Sequence, residues 1–237
     1  MKTAEVCLTP ALLHLHDVTD KVVVVVDILR ATSSMVTAFA HGVQKIRLVA
    51  RVEECITLQG EGYLAAGERD GIKVEGFDFG NSPYDYQCDV VRDKSLAFTT
   101  TNGTLAIEKS KAARRLVIGS FLNLSAVANL LARQEDNILI VCAGWKGHVN
   151  LEDSLFAGAL LSQLASHFEI GNDAALAAEA LYRQAQPNIM ALLLRSSHVQ
   201  RLSTLNTQRD VEFCLRTDEY QVIPQLQGQH LVVVPHH

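Results

Sequence analysis

The sequence predicts a three-layer α/β/α domain, with a mostly parallel sheet between two layers of helices. Three observations lead there. Five consecutive valines, Val22 to Val26, describe a strand buried on both faces, the condition of a central parallel strand. A short aliphatic strand, a polar loop and a helical pattern then recur at four places. Finally, 48% of the 237 residues are hydrophobic but only 6% are aromatic, which suits aliphatic strands under Ala/Leu-rich helices.

The four units follow in order. Val22–Val26 leads through Asp27-Ile28-Leu29-Arg30-Ala31-Thr32-Ser33-Ser34 into a helix towards Ala40. Ser95–Phe98 leads through Thr99-Thr100-Thr101-Asn102-Gly103-Thr104 into a helix from Leu105. Arg115–Ile118 leads through Gly119-Ser120-Phe121-Leu122-Asn123 into a helix over 125–132. Ile138–Cys142 leads through the loop 143–150 into a helix from Leu151, with Asn150 as its N-cap. Alternating strands and helices place ligand sites at the carboxyl ends of the strands, so all four polar loops are expected along one edge. Residues 60–83, with six glycines and the ending Asn81-Ser82-Pro83, read as a long functional loop. Pro187 is expected to split a helical stretch over 174–194. No linker or repeat divides the chain, so residues 1–237 are taken as one domain.

With 26 acidic and 21 basic residues, a net charge of −5 and no Lys/Arg block, the chain does not look like a nucleic-acid binder. No run of 18 apolar residues and no signal-peptide pattern is visible, which points to a cytoplasmic protein without a membrane span. Five scattered cysteines without a C-x-x-C read as free thiols of a reducing compartment. The terminal His236-His237 pair decides nothing.

Candidate chemistry gathers on the loops. Asp27, directly after a buried strand, is a candidate magnesium ligand or phosphoryl acceptor; as a bland alternative it caps the next helix. The run Asp27-Ile28-Leu29-Arg30 superficially resembles the opening of a haloacid-dehalogenase-type phosphatase, but Leu29 stands where that chemistry needs a second aspartate. Arg30 can hold an anion by its guanidinium fork, with Thr32 and its serine neighbours adding hydroxyl donors. Thr100, Thr101, Asn102, Gly103 and Thr104 form a candidate anion cradle of backbone N–H groups, although Asn102-Gly103 also fits a plain hairpin turn. Ser120 can supplement it. Glu68 and Arg69 offer a carboxylate beside a guanidinium, and Asn81 and Ser82 close the same glycine-rich stretch. Glu152 and Asp153 start a helix, where acidic residues are common for dipole reasons alone but can also serve a hard cation. His198, in Ser196-Ser197-His198, is a candidate acid/base, with a surface histidine as the simpler reading.

Six segments, in order, resemble the 2-phosphosulfolactate phosphatase family: Val25 to Ser33, Gly67-Glu68-Arg69, Gly76 to Pro83, Thr99 to Thr104, Gly119 to Asn123, and Cys142-Ala143-Gly144 with Leu151-Glu152-Asp153. A weaker echo runs around Asp210 and from Cys214 to Pro224. The resemblance implies a magnesium-dependent hydrolase converting 2-phospho-3-sulfolactate to 3-sulfolactate and phosphate in coenzyme M biosynthesis, on a three-layer fold. On that reading Asp27, Glu68 and Asp153 are expected to hold Mg2+, and Glu152 or Asp27 to take a proton from water. Arg30, Arg69 and the threonine loop would bind a substrate carrying about four negative charges. A covalent intermediate on Asp27, a related phosphorylated hydroxy acid as substrate, and a non-catalytic anion-binding module are the alternatives. A homodimer is the expected state for such an enzyme.

Overall fold

A computed structural model describes residues 2–205 and 207–234; the His236-His237 pair lies outside them. The strands are β1 (Thr3–Cys7), β2 (Val22–Val26), β3 (Lys45–Leu48), β4 (Leu64–Arg69), β5 (Ile72–Lys73), β6 (Ser95–Thr99), β7 (Arg115–Gly119), β8 (Ile138–Cys142), β9 (Glu169–Ile170), β10 (Pro224–Gln227) and β11 (His230–Val233). The helices are α1 (Ala31–Ala40), α2 (Val52–Gly60), α3 (Gly103–Lys109), α4 (Leu124–Ala132), α5 (Leu151–Leu164), α6 (Asp173–Ala185), α7 (Ile189–Leu193), α8 (Ser197–Ser203) and α9 (Gln208–Cys214). All four expected strand–loop–helix units are present. A 3-10 turn over Gln186–Asn188 separates α6 from α7, as Pro187 requires.

Among the described residues one sheet runs β5-β4-β6-β3-β11-β10-β7-β2-β8-β1-β9. Most of its pairings are parallel, within two blocks. One block is β7-β2-β8-β1-β9 and the other is β3-β6-β4 with the short β5 at its edge. The C-terminal hairpin β10-β11 joins the blocks, antiparallel to β7 on one side and to β3 on the other. Three successive antiparallel pairings reverse the chain sense, so the two parallel blocks run in opposite directions.

The five valines of β2 show why this layering forms. Val22, Val24 and Val26 pack into one apolar cluster with α4, α5 and α6, whereas Val23 and Val25 point into another with α1 and α3. Period-two alternation thus feeds two cores, and both need aliphatic side chains. A third cluster, under α2, takes Ala65 and Ala97 from β4 and β6.

The glycine-rich stretch differs from its expected form. Leu64–Arg69 is a strand, parallel to β6, not part of a loop. Its Ala/Gly/Glu/Arg composition carries little strand propensity, and neighbouring β6 supplies the ladder. Gly67 is required there: at φ 150°, an added Cβ would lie 2.1 Å from the Thr99 carbonyl oxygen.

All five cysteines are free thiols. Among the described residues no helix is long and apolar enough to cross a membrane.

Candidate active site

A cleft opens where the loops after β2, β4, β6 and β8 meet α8. Asp27, Arg30, Glu68, Asn81, Thr101, Asn102, Trp145, His198 and Arg201 contribute to its walls. Its interior holds about 20 Å³, room for about one water or a small cation. The expectation that all four polar loops share one edge holds only in part: those after β2, β6 and β8 reach the cleft, while no residue of the β7 loop lines it. The β6 loop belongs to the reversed block, yet Gly103 comes so close to Asp27 that a Cβ there would lie 2.9 Å from its Oδ2. Twist of roughly 20–25° per strand, summed over the steps from β2 to β6, swings the β6 end round by on the order of 100°.

Asp27 ends β2 and is 7% exposed. Its Oδ1 accepts the Ala31 N–H at 3.4 Å, and its backbone exchanges two bonds with Thr32, whose Oγ1 accepts the Asp27 N–H and donates to the Asp27 carbonyl, both at 3.0 Å. Burial pushes the Asp27 carboxyl up to about 7; His198 opposes the rise, and Glu68 and Glu152 add to it. Thr32 is thereby used at the start of α1, beneath the cleft rather than on its wall.

Two further carboxylates fasten pairs of loops. Asp153, fully buried in α5, accepts the Ile28 N–H at 2.8 Å and the Gly144 N–H at 3.1 Å. Burial, then Asp27 and Glu152, raise its pKa well above the usual carboxylate range. Glu68 accepts the Gly71 N–H at 2.5 Å and the Thr101 N–H at 3.0 Å, so it ties the β4–β5 turn to the threonine loop while facing the cleft.

The other expected residues fall into two groups. Arg30 lines the cleft, but its charge is neutralised by an ion pair with Asp210, and it donates to the Gly71 carbonyl at 3.1 Å. Ser82 holds the other Asp210 oxygen at 2.8 Å. Asn81 presents a buried Oδ1 with no partner among the described residues. Thr101 and Asn102 face the cleft, whereas Thr100 and Thr104 bond mainly to each other, backbone N–H to hydroxyl in both directions. Gly103 begins α3, so a plain hairpin turn is excluded. Arg69 turns away, donating to the Glu68 and Ala50 carbonyls and to Thr99 Oγ1. Ser120 is buried in a capping box with Asn123. Asn150 occupies the N-cap of α5, but its side chain makes no capping bond.

The sequence reading of His198 as a surface residue is corrected: it is 5% exposed and lines the cleft. Its Nδ1 pairs with Glu152, which is fully buried behind it and absent from the cleft wall. Its ring stacks on Trp145 at 5.8 Å. Nothing local in Ser196-Ser197-His198 signals this, because Glu152 and Trp145 arrive from another loop. Asp210 and Arg201 were missed for the same reason; only the weak echo around Asp210 pointed to either.

The donor set suits a hard divalent cation. Asp27, Glu68 and the orphaned Asn81 oxygen share one cleft, and neighbouring buried carboxylates call for a counter-charge. Among the described residues no three His, Cys, Asp or Glu side chains form a metal-holding group. Magnesium requires no such trio, since it keeps waters and needs only one or two carboxylates plus substrate oxygens.

A family model described as 2-phosphosulpholactate phosphatase matches residues 7–229. A probable 2-phosphosulfolactate phosphatase of Caldanaerobacter subterraneus is 39% identical over 219 residues, 90% of each chain. One from Thermotoga petrophila is 42% identical over 203 residues, 86% of this chain and 88% of its own. One from the cyanobacterium Gloeothece citriformis is 38% identical over 224 residues, 91% and 92% respectively.

Proposed function

The chain belongs to the 2-phosphosulfolactate phosphatase family, a family of phosphoric monoester hydrolases, and from that premise we propose that it hydrolyses 2-phospho-3-sulfolactate to 3-sulfolactate and phosphate with Mg2+, in coenzyme M biosynthesis. The observation that carries the reading is the meeting of Asp27, Glu68, Thr101 and Asn102 in one cleft, although they come from two blocks of opposite sense.

Asp27 and Glu68 would hold the magnesium ion, with the Asn81 oxygen beside them. Bound there, the ion supplies Lewis-acid polarisation of the phosphoryl oxygens and orients a water. Asp153, the third carboxylate of the expected set, supports the site from behind, since it is fully buried in α5 and absent from the cleft wall that Glu68 helps to form. Asp27, facing the same cleft, takes up the proton of the attacking water. Glu152 lies behind His198 and reaches the cleft only through that ring. The Arg30–Asp210–Ser82 chain holds the Asp27 loop against the Asn81-Ser82 segment. A cytoplasmic homodimer remains our working assignment, on the free thiols and the general prevalence of such dimers.

The decisive experiment is phosphate release from 2-phospho-3-sulfolactate by chelator-treated protein, with Mg2+ added back. Activity that disappears on chelation and returns with magnesium supports the proposal; undiminished activity in chelator removes the cation. Hydrolysis of a substrate made chiral at phosphorus should proceed with inversion, the outcome of one direct displacement by water, whereas retention would replace water attack by a two-step aspartyl-phosphate route.

A further inference from the structure

The proposed substrate carries negative charge beyond its phosphate, and the Asp27–Glu68 side of the cleft is itself anionic. The cleft-lining cations therefore decide where a second anionic group can sit. Arg30 is neutralised by Asp210. Arg201 lines the same cleft, yet among the described residues no carboxylate pairs with it. Asp70, which lines the same cleft and interacts with Arg201 through space, is engaged directly by Lys146 at 2.9 Å.

The Arg201 guanidinium is nevertheless held firmly, by a backbone carbonyl and two rings. One nitrogen donates to the Asp70 carbonyl at 3.2 Å. Another lies 3.1 Å from His198 Nε2, and the guanidinium carbon sits 4.9 Å from the centre of the Trp145 ring. His198 and Arg201 are one helical turn apart on α8, which brings both to Trp145. The Arg201 Nε is buried without a partner. Each terminal nitrogen engages only one of its two N–H groups in these contacts, and a fixed guanidinium with spare donors and no carboxylate partner is suited to take an anion.

Resting on the function proposed above, we infer that Arg201 is a specificity-determining residue: it binds the substrate's second anionic group, sulfonate or carboxylate, while the phosphoryl group lies at Asp27 and Glu68. Glu152, His198 and Trp145 are positioning residues for it.

Three substrates test this: 2-phospho-3-sulfolactate, phospholactate, which lacks the sulfonate, and p-nitrophenyl phosphate, which has no second anion. Arg201→Gln should raise KM for phosphosulfolactate roughly 10- to 100-fold with kcat within threefold. Its kcat/KM for p-nitrophenyl phosphate should fall by less than threefold, and Arg201→Lys should recover part of the loss. A penalty that persists on phospholactate assigns the carboxylate; one confined to phosphosulfolactate assigns the sulfonate. Equal losses on all three substrates, or none on any, would overturn the inference, and unchanged thermal melting checks that the variants are folded. Wild-type protein that turns over none of the three fails the phosphatase reading itself, a result distinct from a variant that loses no selectivity.

Discussion

The two parallel blocks use the same device and obtain different results from it. In the β2–β8 block, Asp153 ties the loop after β2 to the loop after β8 through two backbone N–H groups. In the β4–β6 block, Glu68 ties the turn after β4 to the loop after β6 in the same way. The environments separate them. The residues whose N–H groups Asp153 serves, Ile28 and Gly144, are buried, while of those served by Glu68, Gly71 is half-buried and Thr101 exposed. Asp153 is fully buried and Glu68 faces the cleft. One carboxylate therefore serves mainly architecture, and the other can serve both the loops and a ligand.

The largest effect should come from Asp27, the group on which both blocks converge. Asp27→Asn is expected to lower kcat/KM for phosphosulfolactate by about 10³-fold or more, about 4 kcal/mol in the barrier. Steady-state phosphate release measures this, and a variant within tenfold of wild type would remove Asp27 from the chemistry.

The contrast between the two braces comes next. Asp153→Ala orphans two buried N–H groups and should cost about 3 kcal/mol of stability, read from the urea midpoint. Glu68→Ala exposes its donors to water, so its stability loss should be about 1 kcal/mol, with activity nonetheless reduced about 100-fold. The reverse ranking of stabilities would dismantle the comparison. Within the β4–β6 block, Gly67→Ala should cost about 2 kcal/mol, because its Cβ would collide with the Thr99 carbonyl. Normal stability there would mean that the β4–β6 pairing is looser than described.

The smallest effect is a pH dependence. Asp27 has its pKa raised on folding, from an ordinary carboxylate value to about 7, so between those values the folded state binds more protons than the unfolded chain. In metal-free protein its contribution is therefore favourable in acid and is lost as pH rises towards 7. Urea unfolding of chelated protein should show this decline, and Asp27→Asn should reduce it, the remainder belonging to Asp153, whose carboxyl is also raised on folding. An unchanged slope in the variant would assign the dependence to another group. Added Mg2+ should stabilise the protein more at pH 8 than at pH 5.

Legibility in the sequence followed burial. Val22–Val26 and Ile138–Cys142 are buried throughout, so composition alone marks them as strands. Leu64–Arg69 escaped because its Ala, Gly, Glu and Arg residues depend on β6 for their pairing. Asp27, Glu68 and Thr101 were recognisable by their places at strand ends and in a family-like order. The environment of His198 was not, since it consists of Glu152 and Trp145, some fifty residues away in sequence. Asp210 likewise acquires its role only from Arg30 and Ser82.

The amino-acid sequence by itself determined the layered α/β architecture, the four strand–loop–helix units and the loops that carry oxygen ligands, because local periodicity and composition encode them. Tertiary structure alone decided that the blocks run in opposite senses, that Asp153 faces backbone while Glu68 faces the cleft, and that Arg201 keeps its charge. Those outcomes depend on strand twist, on the inserted C-terminal hairpin and on which distant groups neutralise one another, and no local pattern records them.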